Sequence, residues 1–78
     1  MDTKTKIKDV LVKLLKIRPE ELKEDVPLQE GIGVDSTEMV ETVIALEKEF
    51  NTKLSPKEIT KSSTLNQIAE VISSKLTS

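Results

Sequence analysis

The sequence predicts an all-α fold: a small four-helix bundle of three long helices and one short third helix, with a long loop between helices one and two. Three observations carry that expectation. Apolar residues recur at helical spacing in three separate stretches, no stretch alternates in the manner of a strand, and each stretch is bounded by residues that start or stop helices. The 78 residues suffice for one small domain spanning 1–78, near the lower size at which a chain folds without a disulfide or metal.

Ile7, Val10, Leu11, Leu14 and Leu15 lay one apolar stripe along a first helix over roughly 3–17. Pro19 stops it, because the residue before a proline is pushed out of helical geometry. Residues 18–35 contain Pro19, Pro27, Gly31 and Gly33 and no sustained period, so they read as a long connection pinned by Leu28 and Ile32, with a short helical turn around Glu20 to Lys23.

The second long helix runs from Ser36 to Phe50. Met39, Val43, Leu46 and Phe50 form its core seam, while Val40 and Ile44 widen the apolar face. Either all six are core, or Val40 and Ile44 edge a surface for partners. Next, Ser55-Pro56-Lys57-Glu58 combines a capping serine, proline at the first helical position and glutamate three residues after the cap. It predicts a short third helix before Ser62. Thr64-Leu65-Asn66-Gln67 repeats the cap, and Leu65, Ile68, Ala69, Ile72 and Leu76 continue a final amphipathic helix.

Composition removes whole classes of chemistry. With no Cys and no His there is no thiol nucleophile, imidazole base or conventional zinc site. Phe50 is the single aromatic residue, so bases have no stacking platform. The net charge of −2 hides a segregation: residues 1–18 hold six bases and two acids, residues 19–54 three bases and ten acids, and residues 55–78 three bases and two acids. An acidic middle attracts proteins with basic patches and repels nucleic acid. Lys4, Lys6, Lys8, Lys13, Lys16 and Arg18 read as the solvated side of the first helix rather than a nucleic-acid face. No apolar run reaches the roughly 20 residues that cross a bilayer, and no signal-peptide core is present, so the expectation is a cytoplasmic monomer without membrane insertion.

The most informative string is Gly33-Val34-Asp35-Ser36. It puts a serine hydroxyl where an irregular segment becomes a helix, among unpaired N–H groups and the positive end of the peptide dipoles. A phosphate on Ser36 would be stabilised there. As a short string, Asp35-Ser36-Thr37-Glu38 is also an ordinary helix start, with Asp35 or Ser36 as the cap and Glu38 completing a capping box.

The wider pattern resembles the acyl carrier proteins. It comprises a first helix, a long loop, Gly-x-Asp-Ser, an acidic helix containing Ala45-Leu46-Glu47-Lys48-Glu49-Phe50-Asn51, a short third helix and a final amphipathic one, covering essentially the whole chain. The resemblance implies a carrier rather than an enzyme. Ser36 would bear 4′-phosphopantetheine, installed by a phosphopantetheinyl transferase that recognises Asp35. The arm would hold acyl cargo as thioesters for synthases, ligases or transferases of fatty-acid or specialised lipid and polyketide biosynthesis. Glu38, Glu41 and Glu47 would meet basic patches on those enzymes, beside Thr37, Val40 and Ile44. The alternative is an unmodified helical interaction module docking through its acidic second helix.

The chain departs from the family at Thr37, where leucine usually follows the modified serine, at Thr42, usually apolar, and at Lys48 and Lys53, which replace common acids. Thr42 is expected beside the core with its hydroxyl bonded to the Glu38 carbonyl. The two threonines suggest a carrier dedicated to one pathway or an unusual acyl group.

Overall fold

The computed structural model describes residues 2–76. Four α-helices and no strand are present among them: α1 Thr3–Leu15, α2 Leu28–Gly31, α3 Ser36–Phe50 and α4 Leu65–Leu76, with a 3₁₀ turn at Pro19–Glu21. The all-helical bundle expected from the sequence is therefore the fold observed.

Helix α1 begins at Asp2, whose side chain accepts the N–H of Thr5 at 2.7 Å. It stops two residues earlier than Pro19 alone requires, because Lys16 adopts a left-handed conformation with φ 56° and its N–H closes onto the Val12 carbonyl. Ile7 and Leu11 are fully buried, and α1 packs against both α3 and α4. At the α4 end, Thr64 and Gln67 form the expected capping box, with Gln67 N–H donating to Thr64 Oγ1 at 3.1 Å and Thr64 N–H to Gln67 Oε1 at 2.9 Å. Leu65, Ile68 and Ile72 fill the core from α4, whereas Leu76, on the same spacing, is exposed.

The long connection is organised by buried apolar residues and by the carboxylates of Glu24 and Asp25. Leu22, Leu28 and Val34 are buried and Ile32 packs against the same core. Glu24 accepts hydrogen bonds from Lys8 at 2.8 Å and Lys4 at 3.1 Å, which ties the connection to α1. Those bonds, Lys8 first and Lys4 second, hold its carboxyl below the usual glutamate range. The Glu24 carbonyl also receives the N–H of Asn66, and Asp25 Oδ1 receives the Asn66 amide at 2.8 Å, so the connection also meets the start of α4.

The segment after α3 differs from expectation. The bonds of a helix start form around Ser55: Lys57 N–H donates to Ser55 Oγ at 3.1 Å, Ser55 N–H to Glu58 Oε2 at 3.0 Å and Glu58 N–H to the Ser55 carbonyl at 2.9 Å. The turn does not propagate, and the short helix of this fold is α2, inside the long connection. Competition from hydroxyls explains it. Ser63 Oγ takes the N–H of Thr60, and Thr60 Oγ1 takes that of Ser62. The carbonyls of Lys61 and Ser63 meanwhile accept the N–H groups of Gln29 and Leu28 at 2.9 and 3.0 Å, bonding the segment to α2 instead of to itself. Ile59 remains buried and anchors it to the core.

Candidate functional site

The approach to Ser36 is built by three residues with distinct duties. Gly33 has φ 70°, which an L side chain adopts only with strain, although an added Cβ would meet nothing within 4 Å. Its N–H closes onto the Leu28 carbonyl at 3.1 Å, ending α2. Val34 is buried and pins the chain immediately before Asp35 and Ser36. Asp35 then caps α3: its Oδ1 accepts the N–H of Glu38 at 2.7 Å, and Glu38 Oε1 accepts the N–H of Asp35 at 3.0 Å. Of the two possible caps, Asp35 takes the role, and Ser36 occupies the first helical position.

That division leaves the serine available. Ser36 is exposed, and none of the hydrogen bonds found among the described residues engages its hydroxyl. Its own N–H and that of Thr37 have no carbonyl one turn earlier to bond, so they add to the positive potential around the oxygen. A phosphate ester there would meet backbone donors on the helix side, which is the fit an anionic arm requires.

Beside Ser36 lies a cleft of about 260 Å³ between α3 and the segment after it, lined by Met39, Val40 and Val43 on one side and Pro56, Ile59, Thr60 and Lys61 on the other. Its walls are mainly aliphatic. Met39 and Val43, expected as core seam, are buried and also face this space. Val40 is 50% exposed and Ile44 46%, so of the two readings of the wide apolar face, these two residues lie outside the core. Phe50 is only partly buried.

The remaining candidates divide along the helix. Thr37 and Glu41 are exposed and Glu38 is partly buried in its capping box. Ile44 and Glu47, about 12 and 16 Å along the helix from Ser36, instead line a separate groove with Lys48, Asn51, Thr52 and Lys53. Glu47 Oε2 accepts the N–H of Leu54 at 2.9 Å, which gives this acid an intramolecular duty. Thr42 is fully buried and its hydroxyl donates to the Glu38 carbonyl at 2.8 Å, as its sequence position implied.

A profile of the family described as "Phosphopantetheine attachment site" matches residues 5–72. That span includes every element bordering Ser36 and the cleft. The chain belongs to the acyl carrier protein family. It is 39% identical over 66 residues to the acyl carrier protein of Wolinella succinogenes, covering 85% of this chain and 87% of the relative. It is 30% identical over 70 residues to that of Bdellovibrio bacteriovorus, covering 90% of each. A Sulfurovum acyl carrier protein is 42% identical over 48 residues.

As a member of this family the chain is a carrier, not an enzyme, and 4′-phosphopantetheine is its prosthetic group. Among the described residues no helix is long and apolar enough to cross a membrane, and no cluster of His, Cys, Asp or Glu is arranged to hold a metal. Val34 as an anchor and Lys61 as a neighbour of Ser36 emerge only in the folded chain. The valine between Gly33 and Asp35 was a usable signal; nothing local connects residue 61 to residue 36.

Proposed function

We propose that Ser36 is the attachment residue, and that the protein works as a single monomeric carrier domain in the cytoplasm, presenting acyl thioesters to separate biosynthetic enzymes. The observation that supports this most directly is the exposed Ser36 hydroxyl at the first helical position, with capping assigned to Asp35 and an aliphatic cleft alongside.

Attachment is a displacement at phosphorus carried out by a transferase. The Ser36 oxygen bonds to the phosphorus that bears pantetheine in coenzyme A, the phosphorus–oxygen bond to the adenosine bisphosphate breaks, and the serine proton leaves. The bound arm supplies a terminal thiol, which a chain without cysteine cannot provide itself. Asp35 serves recognition by the transferase while its carboxylate keeps the helix start in place. The cleft gives the first part of an acyl chain an aliphatic lining away from water, at about 25 cal/mol per Å² buried.

Partner enzymes meet Glu38 and Glu41 near the attachment point, with Thr37 and Val40 supplying the less polar contact. Ile44 and Glu47 extend that surface toward Lys48 and Lys53, where the lysines select against partners that grip with cations. Exposed ion pairs each contribute about 0–1 kcal/mol, so docking is weak, salt-sensitive and fast to release. Thr37 and Thr42 mark a carrier dedicated to one pathway or an unusual acyl group within fatty-acid, lipid or polyketide synthesis.

Incubation with coenzyme A, magnesium and a broad-specificity transferase, followed by intact mass measurement, tests the attachment. The wild type should gain one phosphopantetheine and Ser36→Ala none. A wild type that gains no mass would favour the unmodified interaction module.

A further inference from the structure

We propose that Lys61 pairs with the phosphate at the root of the prosthetic arm and thereby directs the arm into the cleft instead of along the acidic face of α3. The inference rests on Ser36 being the attachment residue. Lys61 and Ser36 line the same cleft, and Lys61 is the one cation among its lining residues. Its backbone is held in place: its carbonyl accepts the Gln29 N–H at 2.9 Å, and the adjoining turn is closed by Ser63 N–H donating to the Thr60 carbonyl at 3.0 Å. The bonds that prevent a helix after Ser55 thus fix the backbone from which this lysine extends.

Charge on the two sides of Ser36 is opposite. Along α3 the neighbours are Asp35, Glu38 and Glu41, which repel a phosphodiester. Asp35 and Glu38 each commit one oxygen to a backbone N–H, which moderates that repulsion without removing it. Across the cleft stands Lys61. Lys4 and Lys8 pair with Glu24, Lys13 with Asp9 and Lys75 with Glu58, whereas none of the ion pairs among the described residues involves the Lys61 ammonium. Lys61 is solvent-exposed, so pairing with a phosphate requires no buried charge to be stripped of water. A unit pair at contact distance in a watery setting corresponds to about a fivefold preference for the paired arm, and salt weakens it.

The test uses holo protein carrying a ¹³C-labelled arm, with loading first checked by intact mass for the wild type, Lys61→Met and Lys61→Arg. The wild type should show nuclear Overhauser contacts from the Lys61 side chain to the methylene next to the phosphate, and from the arm's methyl groups to Ile59. Lys61→Met should weaken the arm–Ile59 contacts several-fold, Lys61→Arg should keep them, and about 0.5 M salt should weaken them in the wild type. The apo spectrum of Lys61→Met should match the wild type outside its own turn, which separates arm placement from folding. Fully loaded protein in which the methionine variant keeps the Ile59 contacts would overturn the role of Lys61 alone. Failure of the wild type to load would overturn both this role and the attachment at Ser36.

Discussion

Glu47 and Leu54 are joined across the turn that leaves α3: the glutamate Oε2 accepts the leucine N–H at 2.9 Å, and Leu54 is buried beneath it. The Glu47 carbonyl also receives the N–H groups of Asn51 and Thr52, so this residue closes the helix with both backbone and side chain. An acid proposed to meet partner enzymes therefore also holds the fold. Glu47→Ala should lower stability by about 1–2 kcal/mol and speed hydrogen exchange at the Leu54 amide. Glu47→Gln keeps an acceptor and should leave that amide protected, so any loss of partner affinity in the glutamine variant reports the charge. Unchanged Leu54 protection in the alanine variant would remove the structural role.

Asp35 has two duties that substitution can separate. Asparagine caps a helix about as well as aspartate, so Asp35→Asn should melt close to the wild type, while Asp35→Ala should lose about 1 kcal/mol. Both should be loaded more slowly if the transferase reads the carboxylate. Loading rates equal to wild type in the asparagine variant would confine Asp35 to capping.

Gly33 is required for its conformation and not for space. Because φ is 70° and an added Cβ meets nothing within 4 Å, Gly33→Ala should cost about 1–2 kcal/mol through the left-handed backbone alone. Asparagine, which tolerates that region better, should cost less. Urea denaturation of the two variants checks the order; alanine equal to glycine would contradict it.

Acid should loosen the long connection. The folded protein holds the Glu24 carboxyl below its usual range through the hydrogen bonds from Lys8 and Lys4. The unfolded chain therefore binds that proton more readily, and the stability Glu24 contributes is present above its unfolded value of about 4.3 and lost as pH falls through the lower folded value. Glu58 adds in the same direction, through the Ser55 N–H and then Lys75. The gap in melting temperature between wild type and Glu24→Gln should be constant from about pH 7 to pH 5 and should close toward pH 3. A gap that does not narrow as the pH falls below about 4 would show that the charge is not what matters.

Thr42 should tolerate loss of its hydroxyl. The Glu38 carbonyl it bonds is also placed to accept the helical N–H one turn on, so Thr42→Val leaves no orphaned acceptor and should change stability by less than about 1 kcal/mol. Thr42→Leu adds volume to a fully buried site and should cost about 1–3 kcal/mol. A valine variant as destabilised as the leucine one would mean the hydroxyl itself holds the helix.

The elements were legible to the degree that their signals were local. The limits of α3 at Ser36–Phe50 match the sequence reading, and Thr64 with Gln67 starts α4 as its spacing implied. Ser55-Pro56-Lys57-Glu58 shows the limit of such signals, since its capping bonds form and yet hydroxyls at Thr60 and Ser63, with acceptance of N–H groups from α2, turn the chain aside. For α1, the left-handed turn at Lys16 was invisible because only Pro19 announced a stop. Ser36 was legible as a special position, whereas its separation from the cap became definite only once Asp35 was seen bonded to Glu38.

By itself the sequence determined an all-helical domain with Ser36 at the start of a long acidic helix, because periodicity, caps and the Gly-x-Asp-Ser string all act within a few residues of one another. The tertiary structure alone decided that Val40 and Ile44 remain outside, that Met39 and Val43 face a cleft, and that Lys61 stands across from Ser36. These depend on which distant segments win the same limited interior, and burial responds to that competition and not to spacing along the chain.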